Sequence, residues 1–201
     1  MILFDGCSYT FGYGLENPEK DAYPHLVARM GLMDGAKSRN YESIAYNGKS
    51  NDAILRTTLE FCEKNPVSLA VIQFSNFYRR EILLDRYFNI TPQNKDDISL
   101  AYYETLQNKH EDVANYHKNK FLLENYFKKR NINYFFINLQ KMKEVSGFIP
   151  SSWYYLQDAN PITNIRDIIG SMKKNPENFV GNHPSKLGHS VIARYLHENI
   201  Y

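Results

Sequence analysis

Short apolar runs alternate along this chain with longer stretches whose apolar residues recur at helical spacing. The predicted strands cover residues 1–5, 41–46, 68–74 and 133–139. The predicted helices cover residues 21–31, 50–64, 105–130, 165–172 and 184–200. Strands that alternate with helices favour a parallel sheet covered on both faces, because each crossover returns the chain to the same end of the sheet. The pattern therefore predicts the α/β class and a three-layer α/β/α sandwich with a central parallel sheet.

The length and the lack of any linker or repeat predict one domain over residues 1–201. Hydrophobic residues make up 43% and charged residues 23%, which is typical of a globular chain. Residues 79–104 fit no single regular element. They are interpreted as an insertion, either a lid over a site or a plain surface excursion.

The charge and the hydropathy of the chain exclude several classes of partner. The net charge is +2, too small to favour nucleic acid or an anionic membrane surface as a partner. No run approaches the roughly 18 apolar residues of a membrane span, and the first residues lack the charged region and the long apolar region typical of a signal peptide. Cys7 and Cys62 are too few for a disulfide framework. We therefore expect a cytoplasmic protein, of an oligomeric state that the sequence does not set.

The first chemical motif is a serine directly after the first predicted strand, in Gly6-Cys7-Ser8. A serine at this point lies at the carboxyl end of a buried strand, where reactive groups of such sheets gather. Gly6 lets the backbone turn sharply, and the amide of Ser8 can point at an oxyanion. A Gly-Ser turn that only joins strand to helix is the alternative.

Two further motifs follow the second and third predicted strands. Gly48 can bring a backbone N–H close to a ligand, because it has no side chain in the way, although Asn47-Gly48 is also an ordinary turn. Asn76 can donate an amide hydrogen bond to a developing negative oxygen, or can end its strand in an Asx turn.

The fourth motif places a histidine before the last predicted helix, in His183-Pro184-Ser185. Pro184 fits the first turn of that helix and sets the entry of His183, which then faces the end of the sheet. From there the imidazole could take the proton of Ser8 and return it to a leaving group. His189 is expected to pack or bond locally.

The four motifs together resemble the SGNH (GDSL-like) hydrolase family, in this order and from residue 6 to residue 189. The resemblance implies the flavodoxin-like fold of that family. It also implies Ser8 as nucleophile, His183 as general base, and an oxyanion hole of Ser8, Gly48 and Asn76. The implied reaction is transfer of an acyl group from an ester to water through an acyl-serine, with no cofactor and no metal. The composition is similar to that of phage-encoded or marine bacterial members, and a phage-encoded protein could be virion-associated.

The chain departs from the family's pattern most clearly before the histidine. The family has Asp two or three residues before it, where this chain has Val180 and Gly181. A backbone carbonyl could orient His183 in a Ser–His dyad, an acid such as Glu177 or Asp158 could replace the missing one, or the site could be weak. Cys7 stands where the family often has Asp, and could itself be reactive, although its side chain should point away from that of Ser8.

The expected substrate is a small ester or an acylated carbohydrate. Two alternatives remain: a catalytically weak carbohydrate-binding module, and a structural subunit of an assembly. Either Arg79 or Arg80 could reach an anionic or sugar substrate, or could instead pair with Glu81 or Asp85.

Overall fold

A parallel sheet forms the centre of the chain in a computed structural model that describes residues 1–33, 40–139, 163–170 and 173–200. The strands are β1 (Ile2–Asp5), β2 (Tyr41–Ser43), β3 (Leu69–Phe74), β4 (Arg80–Leu83), β5 (Tyr87–Ile90), β6 (Asn133–Asn138), β7 (Thr163–Asn164), β8 (Phe179–Val180) and β9 (His183–Pro184). The helices are α1 (Ser8–Phe11), α2 (Pro18–Asp21), α3 (Tyr23–Met33), α4 (Asn51–Lys64), α5 (Asp97–Ala101), α6 (Lys109–Arg130), α7 (Ile165–Ile169) and α8 (Lys186–Ile200).

The central sheet has the strand order β2-β1-β3-β6-β7, and every neighbouring pair is parallel. β1 and β3 lie in its middle, so that their carboxyl ends adjoin each other. The four strands expected from the sequence are all present, which confirms the predicted parallel sheet. The fifth, β7, is only two residues long, and it was not predicted because so short a strand carries no pattern.

Alternating residues of β3 pack against two separate layers of helices. Val71 faces a core built with α3, α7 and α8, whereas Ala70, Ile72 and Phe74 face a core built with α4 and α6. Both faces of the sheet are therefore buried by helices. This arrangement confirms the three-layer α/β/α sandwich.

Several helix boundaries differ from the prediction. The predicted helix 21–31 is divided between α2 and α3, and Gly31 lies inside α3 rather than ending it. The predicted helix 105–130 contains a break, because a π-helical turn (Tyr102–Leu106) ends before Asn108 caps α6. Short polar breaks of this kind do not disturb a helical pattern enough to be recognised from sequence.

The approach to the last helix also corrects the prediction. Pro184 does not begin the helix, because His183–Pro184 pairs antiparallel with Phe179–Val180 and α8 starts at Lys186. Proline fits either setting, since its fixed φ suits an extended edge as well as a first helical turn. His183 is therefore presented by a short hairpin rather than by a helix N-terminus.

Residues 79–104 form the β4–β5 hairpin, followed by α5 from Asp97. The hairpin is fastened to α4, because Glu81 accepts two 2.8 Å hydrogen bonds from Arg56 and its backbone N–H donates to Asp52. Within the described residues, no helix combines the length and the apolar character needed to cross a membrane.

Candidate active site

Ser8 follows β1 after a two-residue turn whose geometry requires glycine. A Cβ on Gly6 would lie 2.3 Å from Oγ1 of Thr10 and 2.9 Å from Cβ of Gln73. Gly6 is needed for this close approach, and it does not have a positive φ. The side chain of Gln73 then holds the turn, because its Oε1 accepts from the backbone N–H of Cys7 at 3.2 Å and from the hydroxyl of Thr10 at 3.1 Å.

The hydroxyl of Ser8 meets the imidazole of His183 at the carboxyl end of the sheet. Ser8 Oγ lies 3.0 Å from His183 Nε2, although 175 residues separate the two along the chain. Ser8 is only 3% exposed. The distance is that of a hydrogen bond through which a proton can pass from hydroxyl to imidazole.

Two tyrosines that follow Ser8 in the chain pack against His183. The rings of Tyr9 and Tyr13 lie with their centroids 5.4 and 4.9 Å from that of the imidazole. The hydroxyl of Tyr9 also donates to the carbonyl of Asn182 at 2.5 Å. Tyr9 therefore connects the helix that begins at Ser8 with the hairpin that carries His183.

The electrostatic surroundings of His183 favour the neutral imidazole. Burial lowers the pKa of His183 below its ordinary value of 6.5, and the positive charge of Arg79 lowers it further. A neutral imidazole is the form that can accept a proton from Ser8. The side chain is thus in the base form at neutral pH.

No carboxylate among the described residues contributes to the pKa of His183. Glu177 is exposed, and its backbone carbonyl accepts a hydrogen bond from the hydroxyl of Ser185 at 2.6 Å. The other candidate acid, Asp158, lies outside the described residues. The described part of the site is therefore a Ser–His pair.

Gly48 lies in a turn after β2 and has a φ of +80°, a conformation that glycine adopts without strain. A Cβ there would meet only a methyl of Thr91 at 4.0 Å, so the space beside the backbone is open. The next residue, Lys49, fixes this turn to β1. Lys49 is fully buried and its ammonium forms an ion pair with Asp5 at the end of β1, with Nζ 2.5 Å from Oδ1.

Asp5 is saturated with hydrogen-bond donors. Besides Lys49, its carboxylate accepts from the backbone N–H of Gly6 at 2.7 Å and from the hydroxyls of Thr57 and Thr58 at 2.9 Å. Burial raises the pKa of the Asp5 carboxyl and lowers the pKa of the Lys49 ammonium, while each partner's charge acts in the opposite sense. The pair ties the turn of Gly48 to the strand that leads to Ser8.

Asn76 follows β3 and is 8% exposed. Its side-chain Oδ1 is buried and has no hydrogen-bond partner among the described residues. No internal hydrogen bond therefore holds the side-chain amide through this oxygen. The side-chain amide of Asn51 forms two hydrogen bonds with the backbone of the preceding residue, Ser75. It accepts from the Ser75 N–H at 2.8 Å and donates to the Ser75 carbonyl at 3.3 Å. These bonds join the loop after β3 to the beginning of α4, next to the turn of Gly48.

The β4–β5 hairpin contacts the same turn from the other side. Asn89 accepts from the backbone N–H of Ser50 at 3.3 Å and donates to the hydroxyl of Tyr46 at 2.8 Å. Ser50 in turn caps α4 through the backbone N–H of Ala53. The insertion therefore takes part in fixing the residues around Gly48.

The remaining candidates are accounted for by local packing. The thiol of Cys7 is fully buried beside Gln73 Oε1 at 3.3 Å, and its sulfur also accepts from the hydroxyl of Ser8 at 3.9 Å. The two side chains are therefore in contact, and the expectation that Cys7 points away from Ser8 is wrong. His189 accepts from the backbone N–H of Tyr23 at 3.2 Å, and burial lowers its pKa to about 4, which fits the expected local role. Among the described residues, no group of three or more His, Cys, Asp and Glu side chains is arranged to hold a metal ion.

The structure brings Ser8 and His183 into contact, as the sequence predicts for a nucleophile and its base. It places Gly48 and Asn76 after the two strands that flank β1 in the sheet. Sequence reasoning missed Lys49 and Tyr9 as supports of the site. A lysine beside the glycine turn and an acid ending an apolar strand were the available signals, but nothing in the sequence shows that the two are paired.

Comparisons with known proteins give structural similarity only. No protein-family model matches the sequence, and no curated protein matches it. Among solved structures, the chain is similar to the esterase EstA of Pseudoalteromonas sp., with a TM-score of 0.62, 13% identity and coverage of 99% of this chain and 95% of that chain.

Two further structures are similar over nearly the same length. The acetyl xylan esterase AlAXEase aligns with a TM-score of 0.58 and 17% identity, over 100% of this chain and 99% of that chain. A GDSL-like lipase of Bacteroides thetaiotaomicron aligns with a TM-score of 0.55 and 15% identity, over 99% of this chain and 86% of that chain. At these identities the similarity establishes the architecture, and the chain has the α/β/α fold of the SGNH (GDSL-like) hydrolases.

Proposed function

We propose that this chain is a serine hydrolase that cleaves an ester or O-acetyl group through an acyl-serine intermediate. The observation that carries the proposal is the 3.0 Å contact between Ser8 Oγ and His183 Nε2. Its position at the carboxyl end of a parallel sheet is where such folds bind their ligands. The structural neighbours described above are esterases and a lipase, which supports ester hydrolysis in general.

The reaction begins when His183 Nε2 takes the hydroxyl proton of Ser8 as the oxygen attacks the carbonyl carbon of the ester. The carbonyl oxygen becomes an oxyanion, which the backbone amides of Ser8 and Gly48 and the side-chain amide of Asn76 stabilise. Loss of one such donor typically costs about 2.7–4 kcal/mol of transition-state stabilisation. The imidazolium then protonates the leaving alcohol, and an acyl group remains on Ser8.

Deacylation repeats these steps with water as the nucleophile. His183 takes a proton from the water, the acyl–oxygen bond of Ser8 breaks, and the serine recovers its proton from the imidazolium. No carboxylate among the described residues stabilises the imidazolium of His183. This charged form is therefore less stable here than it is in a complete triad. Removing that acid from a serine protease costs about 10⁴-fold in rate, so we expect modest turnover. The substrate we propose is a small ester or an acylated carbohydrate.

Hydrolysis of para-nitrophenyl acetate and butyrate tests this proposal. We expect the wild type to turn over, and Ser8→Ala, His183→Ala and the double variant to lose activity by similar factors, because residues that act as a unit are not additive. Independent, additive losses would contradict a Ser–His unit. Thermal unfolding of each variant controls for loss of the fold.

A second candidate, a carbohydrate-binding module with a weak site, is favoured by an exposed aromatic ring beside His183. Tyr13 is 48% exposed with its ring centroid 4.9 Å from that of the imidazole, and an aromatic face of this kind can bind a sugar ring through apolar contact. If the wild type does not turn over any ester, glycan-array binding that Tyr13→Ala abolishes would support this candidate. The absence of both activities would reject both functions.

A further inference from the structure

Arg79 is an arginine whose charge no carboxylate of the described residues neutralises. Its neighbour Arg80 pairs with the buried Asp112 at 3.1 Å and donates to the hydroxyl of Tyr102. The adjacent acid, Glu81, is taken by Arg56 in a pair of 2.8 Å hydrogen bonds. The sequence allows Arg79 to pair with Glu81 or Asp85. Neither ion pair occurs among the described residues.

The guanidinium of Arg79 is held beside the residues proposed to stabilise the oxyanion. The backbone N–H of Arg79 donates to the carbonyl of Asn76 at 3.2 Å, which closes the turn after β3. Its Nη1 donates to the hydroxyl of Ser75 at 3.0 Å, so one edge of the guanidinium is fixed. Its Nε is buried and has no partner among the described residues. At least this donor thus remains unpaired in the turn that begins at Asn76.

The charge of Arg79 also lowers the pKa of the proposed base, His183, so the two side chains are close enough to interact electrostatically. A half-buried charge with an unpartnered donor is unfavourable unless a ligand supplies the missing acceptor. The planar fork of N–H donors on a guanidinium matches the paired oxygens of carboxylates and phosphates. The missing acceptor is therefore expected to be an anion bound between the turn of Asn76 and the imidazole of His183.

We propose that Arg79 binds an anionic group of the substrate, a carboxylate or a phosphate, located next to the ester that is cleaved. This inference rests on the proposed ester hydrolysis and narrows its substrate class. The anion belongs either to the acyl part or to the alcohol part of the ester, and the two arms of the test separate these cases. No new covalent step is involved, since Arg79 binds and orients the substrate.

The test compares matched pairs of esters that differ by one negative charge. On the alcohol side the pair is phenyl acetate and para-acetoxybenzoate, and on the acyl side it is para-nitrophenyl butyrate and para-nitrophenyl hemisuccinate. The variants are Arg79→Met, Arg79→Lys and, as a matched control, Arg86→Met at an exposed position in the connection between β4 and β5. The measured quantity is the ratio of kcat/KM for the anionic ester to that for its neutral partner.

We expect Arg79→Met to lower this ratio about ten- to a hundred-fold for at least one pair, mainly through KM, since it removes charge-assisted hydrogen bonds. Arg79→Lys should retain part of the ratio, because an ammonium keeps the charge but not the fork. Arg86→Met should keep the wild-type ratio. Because each ratio is taken within one variant, a partly unfolded preparation does not change it.

The pH dependence of kcat supplies a second readout. A bound anion offsets the charge of Arg79, so His183 should titrate at higher pH in the complex with the anionic ester than in the complex with its neutral partner. Arg79→Met should reduce this difference, because the anion is then no longer held beside His183. A purely structural role of Arg79 would leave this difference the same in Arg79→Met as in the wild type.

Failure of the inference and failure of the proposed function give different results. If the wild type hydrolyses the neutral esters and Arg79→Met leaves both ratios unchanged, the anion site is rejected while ester hydrolysis stands. If the wild type hydrolyses none of the four esters, ester hydrolysis is in error, and calorimetry with benzoate and inorganic phosphate decides the anion site alone. Binding that is about ten-fold weaker in Arg79→Met supports the site, and equal or absent binding overturns it.

Discussion

The turn that carries Gly48 is enclosed by buried polar contacts, whereas the imidazole of His183 has one hydrogen-bond partner among the described residues, the hydroxyl of Ser8. The ion pair of Lys49 with Asp5 fixes the turn from below, and the amide of Asn89 contacts Ser50 on the hairpin side. On the base side, the carbonyl of Asn182 is held by the hydroxyl of Tyr9, and aromatic rings surround the imidazole.

This difference matches the two tasks proposed for the two regions. Donors that stabilise an oxyanion are most effective when they are already in position, because they then need no reorganisation during the reaction. A base must instead exchange protons with a serine, a leaving group and water, and its protonation equilibrium matters as much as its position. Stability should thus depend mainly on the contacts around Gly48, and the pH response mainly on the surroundings of His183.

The largest expected effect comes from breaking the buried ion pair. Lys49→Met leaves the carboxylate of Asp5 buried without its countercharge, and loss of one partner of such a pair costs about 3–5 kcal/mol of unfolding free energy. Urea denaturation measures the loss. Lys95→Met at an exposed position is the matched control, with a change within about 0.5 kcal/mol. Equal stability of the two variants would mean that the pair does not fix the turn.

A smaller effect is expected where the backbone approaches β3 before Ser8. Gly6→Ala places a Cβ against Thr10 and Gln73, and overpacking of this kind costs about 1–3 kcal/mol. It should also displace Ser8 and lower kcat for para-nitrophenyl acetate at least about ten-fold. Gly14→Ala is the control: its φ is +89° but no atom lies within 4 Å of the added Cβ, so only backbone strain is introduced. An equal loss of kcat in both variants would refute the steric account.

On the base side the expected effect of a single contact is smaller still. Tyr9→Phe removes the hydrogen bond to the carbonyl of Asn182, worth about 1 kcal/mol, and should lower kcat several-fold by loosening the hairpin of His183. Tyr13→Phe removes a hydroxyl for which the described residues provide no partner, and should have the smaller effect. Kinetics and thermal unfolding of both variants measure this. A larger effect of Tyr13→Phe would show that the hydrogen bond of Tyr9 is not what positions the histidine.

The smallest expected effect is a displacement of the pH profile. Burial and Arg79 both disfavour the imidazolium, so the pH must fall further before His183 becomes protonated. The acid limb of kcat/KM for a neutral ester should therefore lie below pH 6.5. An acid limb above pH 6.5 would indicate a carboxylate that stabilises the imidazolium from outside the described residues, and the contrast between the two regions would then disappear.

How much of this could be predicted from sequence depends on how local each signal is. The strands around Phe4 and Val71 were predictable, because a short apolar run bounded by turn residues is visible in a few neighbouring positions. The contact of Ser8 with His183 followed from the order of motifs in a known architecture. The hairpin before α8 was missed, because Pro184 suits an extended edge as well as a helix start.

The supports of the site were not predictable for a different reason. Lys49 and Asp5 are 44 positions apart, and their pairing depends on how β1, β2 and α4 pack together. The free charge of Arg79 is visible only once Glu81 is seen to be occupied by Arg56. Contacts that are set by tertiary packing leave no periodic or motif-like trace in the chain.

Reaction of the intact protein with diisopropyl fluorophosphate tests the central claim most directly. Attack by Ser8 Oγ on phosphorus releases fluoride, and His183 takes the hydroxyl proton. Mass spectrometry should find one phosphoryl adduct per chain, located on Ser8 and absent from Ser8→Ala. The rate should fall about a hundred-fold or more in His183→Ala, the usual contribution of a general base. An adduct on another residue, or a rate that is unchanged in His183→Ala, would contradict the Ser–His unit.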